Sequence, residues 1–188
     1  MIFAHGPSGY LLGRIAGRKL PGVPLWPAVL GAYAPDFDVP YFALFGPPVA
    51  DHHYWSPLHW PLFWAALAIP LLIWARARGP RATTASLIFL AGVILHFCLD
   101  TMTWYIHWGA PFTMVGFKLS DPTTVHRPWP WNFLTHWTMG LEASICLAAV
   151  WLRVTLDGRL LPARWGARRL RAWMRARRSG GAFGRATA

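Results

Sequence analysis

Acidic side chains are scarce in this chain, with 7 Asp and Glu against 18 Lys and Arg in 188 residues. Charged residues of both signs amount to only 13% and hydrophobic ones to 55%, where soluble domains run to roughly 25% charged. Such a shortage argues against a soluble helical bundle and for a chain whose solvent is lipid. Cysteine is scarce too. Cys98 and Cys146 form no CxxC, lie in apolar stretches, and read as buried packing residues rather than as a disulfide or a ligand pair. No GxSxG, phosphate-cradling glycine loop, HExxH or CxxCH is present, so serine hydrolases, nucleotide enzymes, thermolysin-like proteases and c-type haem proteins lose their usual signals. Met1 to His5 lack the basic region and cleavage site of a secretory signal, so insertion is expected to come from retained helices.

What the chain does have points to a membrane. Thirteen tryptophans suit the boundary between headgroup and hydrocarbon, where the indole ring and its N–H are both accommodated. The net charge of +11 is not spread as on a nucleic-acid-binding face. It gathers at Arg14, Arg18 and Lys19, then at Arg76, Arg78 and Arg81, then from Arg153 to Arg185. These are ends and connections of apolar segments, which the positive-inside rule places in the cytoplasm. No nucleic-acid partner is expected. The tail, with Arg168, Arg169, Arg171, Arg175, Arg177 and Arg178, is expected to lie on anionic lipid headgroups, and 179–188 to be disordered.

Three stretches are long and apolar enough to span hydrocarbon: 54–75, 82–99 with a helix running past Asp100, and 131–152. Two shorter segments, 2–17 and 23–45, are broken by Gly and Pro, while 46–57 and 109–130 read as loops. The expected fold is all-α, a multi-helix integral membrane bundle of three full spans plus two shorter N-terminal helices. A membrane domain over 1–155 is followed by a basic cytoplasmic tail over 156–188.

Helical rise then sorts the polar residues by depth. Counting from the basic loop at 76–81, His59 lies about 25 Å away, His96 about 22 Å and Asp100 about 28 Å. His136 lies about 25 Å from Arg153. These positions share one layer, expected toward the outer face.

His96 and Asp100, four apart, point the same way from a helix and can grip one divalent cation. An ionisable pair inside an apolar span is costly and usually functional. Asp36 and Asp38, in Pro35-Asp36-Phe37-Asp38, can hold one ion or bridge two, or simply form a turn. His59 is the best placed of the cluster His52, His53 and His59; His52 and His53 read as solvated loop residues. His5, near the start of the first helix, is either a further ligand or an interfacial residue. On a straight helix His107 lies about 16 Å from His96, too far to share its ion, leaving a second ion, a substrate anion or the interface. Glu142, in the third span, needs a partner or a proton, and could pair with an arginine or bind a metal.

Taken in order, His5, Pro35-Asp36-Phe37-Asp38, His53 with Leu58-His59-Trp60, and His96-Phe97-Cys98-Leu99-Asp100-Thr101-Met102-Thr103 followed by Gly109-Ala110-Pro111 resemble the motifs of the YdjM-type family of membrane-bound metal-dependent hydrolases. The resemblance covers 1–115. The family's Arg-Gly and Thr-His-Ser are absent here, and the step from His53 to His59 is one residue longer. The family is distantly similar to zinc-dependent bacterial phospholipase C, in which a later His-x-x-x-Glu supplies ligands; His136 and Glu142 are six apart instead. The resemblance implies a bacterial inner-membrane, multi-pass hydrolase acting on a phosphate ester of an amphiphilic, lipid-like substrate. His5, Asp36, His59, His96 and Asp100 would hold Zn²⁺, with His53, His107, His136 and Glu142 as possible additions. Asp38 would orient a ligand or act as general base. The alternative is a non-catalytic membrane protein that binds metal, haem or a partner subunit through the same residues.

Overall fold

A computed structural model describes residues 3–20, 24–46, 52–122 and 129–157. Its helices are α1 (His5–Lys19), α2 (Trp26–Tyr33), α3 (Val39–Phe45), α4 (His52–Trp55), α5 (Pro61–Arg78), α6 (Pro80–Asp100), α7 (Trp129–Leu134) and α8 (Trp137–Asp157), with 3-10 turns at Ala34–Asp38 and Pro57–His59. The fold is all-helical, as expected. Among the described residues the sole β-type pairing is an isolated antiparallel bridge between Ile106 and Phe117. Residues 1–149 form one compact unit. The second runs from Val150 to Ala188, and its described part is the end of α8. The tail expected on lipid headgroups and the disorder expected at 179–188 lie outside the described residues.

Among the described residues three helices are long and apolar enough to cross a membrane: α5, α6 and α8 over Trp137–Thr155. Their number matches the expectation, but their bounds do not. The first span begins at Pro61 rather than 54, because Pro57 and Pro61 interrupt the chain and leave 52–59 to α4 and a 3-10 turn. The second stops at Asp100 rather than running on. Beyond it the Thr101 N–H bonds to Phe97 O, and Met102 and Thr103 make shorter turns back to Leu99 and Asp100. The third is broken after Leu134, so α7 and α8 are separate helices. Segment 23–45 is three pieces rather than one, with a tight turn inserted at Ala34–Asp38.

Between α5 and α6 the chain reverses at Gly79, whose φ of 105° few other residues adopt. Pro80 follows at the first position of α6, where its missing N–H costs nothing. Helix α6 is the central span: 39% of its apolar window is buried, against 6% for α5. Leu67, Ile69 and Ile73 of α5 face outward, the lipid side in a membrane protein. Cys98 is also exposed and Cys146 only half-buried, which corrects the expectation of two buried cysteines. In lipid an outward thiol loses no water contacts, so nothing drives it inward.

The packing that positions the site is the crossing of α2 and α6. A Cβ at Gly92 would lie 2.5 Å from Ala28 O and 2.9 Å from Ala32 N, and one at Gly31 would overlap Phe89 O. Two glycines therefore let these backbones meet without intervening side chains, as small residues do between membrane helices. Gly92→Ala should force the helices apart, cost about 1–3 kcal/mol and lower the thermal unfolding midpoint in detergent. An unchanged midpoint would show that the crossing is not close-packed.

Candidate metal centre

Each polar residue of the site is delivered by a local structural reason. The 3-10 turn ending at His59 is capped by Ser56, whose Oγ accepts the Leu58 N–H at 3.2 Å. The Trp64 indole N–H donates to Leu58 O at 2.7 Å and fixes the same turn. The tight turn at Ala34–Asp38 swings both aspartates toward that imidazole. His59 Nδ1–H donates to Asp38 Oδ2 at 3.0 Å, while its Nε2 stands 3.4 Å from Asp36 Oδ1. From α6, His96 donates Nδ1–H to Ala32 O at 2.9 Å, a contact that the Gly31–Gly92 crossing makes possible. Its Nε2 lies 3.0 Å from Asp100 Oδ2, one helical turn on, and 3.8 Å from Asp36 Oδ1.

One donor atom from each of Asp36, His59, His96 and Asp100 thus falls within 4.8 Å of the others, a group that could hold a metal ion. The Nε2 atoms of His59 and His96 are buried and have no hydrogen-bond partner. With each Nδ1 committed as a donor, each Nε2 offers a lone pair to a cation once it gives up any proton, and both face carboxylates. Buried polar atoms are seldom left unpaired, and this donor set fits a divalent cation.

The electrostatics carry the same demand. Burial disfavours charge on His59, yet Asp36 and Asp38 outweigh it and push the imidazole up to about 9. Burial likewise opposes ionisation of Asp36 and Asp38, but contact with His59 brings both carboxyls below their ordinary value. His53 goes the other way. Its burial dominates the hydrogen bond to Asp100 and lowers it to about 3, so it stays neutral.

The remaining candidates fall around this group. His5 sits between its two carboxylates, with Nδ1 3.5 Å from Asp36 Oδ2 and Nε2 3.1 Å from Asp100 Oδ1, and stacks on His96 at 4.1 Å. Its place is secured from α8: the Phe3 N–H donates to Glu142 Oε2 at 2.6 Å. That contact gives Glu142, 1% exposed, a backbone partner. His52 and His53 are buried, which corrects their reading as solvated loop residues. Helix α4 turns them inward, and with His59 they form a second group of three donors within 4.8 Å. His53 Nε2–H also donates to Asp100 Oδ2 at 3.2 Å. His107 donates Nδ1–H to His53 O at 3.2 Å; because α6 ends at Asp100, the chain folds back instead of carrying His107 away. His136 pairs with Thr138 Oγ1 at 2.8 Å and belongs to neither donor group. Two features escaped the sequence reading: inward-facing His52, which α4 alone reveals, and Ala32 O, a backbone acceptor with no sequence signal.

Asp38 orients His59 without belonging to the four-donor group. Asp38→Ala should weaken Zn²⁺ binding about 10–100-fold, measured by equilibrium dialysis of the detergent-purified protein. Unchanged affinity would remove Asp38 from the account.

No curated protein and no solved structure matches the chain. A family model described as YdjM inner membrane protein matches residues 1–162. That span takes in all three apolar helices and every member of both donor groups, and the chain belongs to the YdjM inner membrane protein family.

Proposed function

We propose that this protein is a membrane-embedded, metal-dependent hydrolase that cleaves a phosphate ester of an amphiphilic substrate. The observation that carries the reading is the convergence of Asp36, His59, His96 and Asp100 from three separate stretches of chain onto one buried point. Two nitrogen and two oxygen donors suit Zn²⁺. When bound, such an ion supplies a hydroxide-like water at neutral pH and polarises the ester under attack.

The chain's own residues would do the rest. Asp38 holds the His59 ring with its Nε2 turned inward. Ala32 O does the same for His96. His5, between the two carboxylates, is within reach of a proton released at either. An apolar groove of about 460 Å³, lined by Trp26, Leu30, Tyr33 and Phe37 together with Asp36, suits an acyl or other hydrocarbon chain. Of the metal group, Asp36 is the member with the most exposed side chain, 29%. It therefore meets both the groove and the ion. The basic turn at Arg76, Arg78 and Arg81 lies at the opposite ends of α5 and α6 from His59 and Asp100. By the positive-inside rule this arrangement supports a site at the outer face.

Metal analysis of the purified protein beside His96→Ala and Asp100→Ala tests the metal centre. Stoichiometric zinc in the wild type, lost in both variants, is expected. Hydrolysis of chromogenic phosphomonoesters and phosphodiesters should follow zinc content, fall by at least about 100-fold on chelation, and return on readdition. Stoichiometric metal without turnover of any phosphate ester would turn the reading to a structural metal site.

A further inference from the structure

Beyond α6 the chain makes an excursion over 101–120 that carries no Asp, Glu, Lys or Arg before Lys118. Its course is fixed by backbone pairing. Ile106 and Phe117 each donate an N–H to the other's carbonyl oxygen at 3.0 Å, and the Leu119 and Ser120 N–H groups return to Thr101 O and Met102 O. The result is a hairpin with its tip at 111–115. One side of it is built into the protein. Ile106 is fully buried and joins the apolar cluster of Ala34, Val93 and Phe97. Tyr105, His107 and Gly116 line a cavity of about 560 Å³ that His53 also lines. The other side is open. Phe112 is 88% exposed and Val115 75%, and Tyr105, Trp108, Phe117 and Leu119 are exposed as well. A contiguous apolar patch of this kind marks a contact surface.

The depth of the hairpin decides what covers that patch. Helix α6 starts at the basic turn and has 21 residues, about 31 Å of helix, which uses up the roughly 30 Å of a bilayer's hydrocarbon. Its far end therefore stands at headgroup level, and a hairpin pointing onward would leave the bilayer. This one turns back. The Trp108 indole N–H donates to Thr101 Oγ1 at 3.2 Å, and its ring lies 6.2 Å from that of Phe97, nearly one turn short of the end of α6. Ile94 and Cys98, on the same stretch of α6, face outward as lipid-facing residues do. The hairpin also meets the backbone demand of such a place. Besides the Ile106–Phe117 pair, the Ala110 N–H bonds to His107 O and the Thr113 N–H to Gly109 O, so these groups are not stranded on leaving water. Exposed Tyr and Trp are the side chains favoured at headgroup level.

We propose that this hairpin is inserted in the leaflet on the metal-group side, with its tip among the uppermost acyl chains. The cavity behind it then opens at headgroup level, and an amphiphile enters from the leaflet rather than from water. The partner is the lipid surface itself. The inference rests on the hydrolase reading only for the fate of an amphiphile once inside.

The test uses full-length protein carrying Cys98→Ser and Cys146→Ser, reconstituted in phosphatidylcholine vesicles and spin-labelled at one introduced cysteine. Phe112→Cys and Val115→Cys are compared with Arg78→Cys in the basic turn. Labels at 112 and 115 should collide more often with oxygen, which concentrates in lipid, than with a water-soluble nickel chelate, and the label at 78 should do the reverse. Trp55 is exposed and lines the cavity; a label introduced by Trp55→Cys should give an oxygen-to-nickel ratio well above that at 78. Nickel prevailing at 112 and 115 would place the tip in water and overturn the proposal. Labels immobilised and shielded from both reagents would show protein there, from this chain or a second copy, and overturn it too. A ratio at 55 equal to that at 78 would overturn entry from the leaflet. Wild-type protein gives a second reading that needs no variant to fold. Illumination in vesicles of phosphatidylcholine bearing a diazirine near the top of its acyl chain should leave adducts on 112–117, mapped by mass spectrometry; adducts confined to the three spans would contradict insertion. Phosphate-ester turnover enters neither readout, so the hydrolase reading can fail while the inserted hairpin stands, and the reverse.

Discussion

Burying carboxylates among apolar helices is tolerable only when something positive stands against them, and this constraint organises the molecule. Asp36, Asp38 and Asp100 converge where α6 ends and where α2 gives way to a tight turn. Around them stand His5, His53, His59 and His96. Neutral imidazoles cannot balance three anionic charges. The group therefore holds a proton on His59 far above the ordinary histidine range, or takes a cation instead. Isolated ions in a low-dielectric interior cost several kcal/mol each, so a divalent cation is the compensation that the donor geometry fits best.

Holding that geometry falls to small residues and short turns rather than to a large hydrophobic core. Gly31 and Gly92 let α2 and α6 touch backbone to backbone, and that contact brings Ala32 O to His96. Ser56 and Trp64 fix the turn that presents His59. Glu142 reaches across from α8 to the Phe3 N–H and so holds the stretch leading into His5. Ala4 and Leu99 are buried beside that stretch, with Leu141 and Ile145 of α8 against them. The spans contribute apolar surface for lipid; the precision comes from polar contacts at one end of them.

Much of this was legible in the sequence, for identifiable reasons. The spans stand out because uncharged runs of this length have few other uses. His96 and Asp100 stand out because a four-residue step on a helix is a fixed geometry. The ordered motifs brought in Asp36 and His59. The end of α6 at Asp100 was hidden, since no proline marks it and the chain only tightens there, with Met102 and Thr103 bonding three residues back to Leu99 O and Asp100 O. The burial of His52 and His53 was hidden as well: a loop rich in Pro and His reads as solvated until α4 is seen to turn both rings toward His59. Depth counting took 131–152 as one helix, whereas His136 lies in the break between α7 and α8, where its ring is taken up by Thr138.

The account depends on imidazole nitrogens and carboxylate oxygens sharing a single cation. X-ray absorption at the zinc edge of the purified, zinc-loaded protein reads that coordination shell directly. The expected shell contains two imidazoles and carboxylate oxygen, at about 2.0–2.2 Å, with no sulfur. A sulfur shell near about 2.3 Å, or oxygen alone with no imidazole scattering, would contradict it.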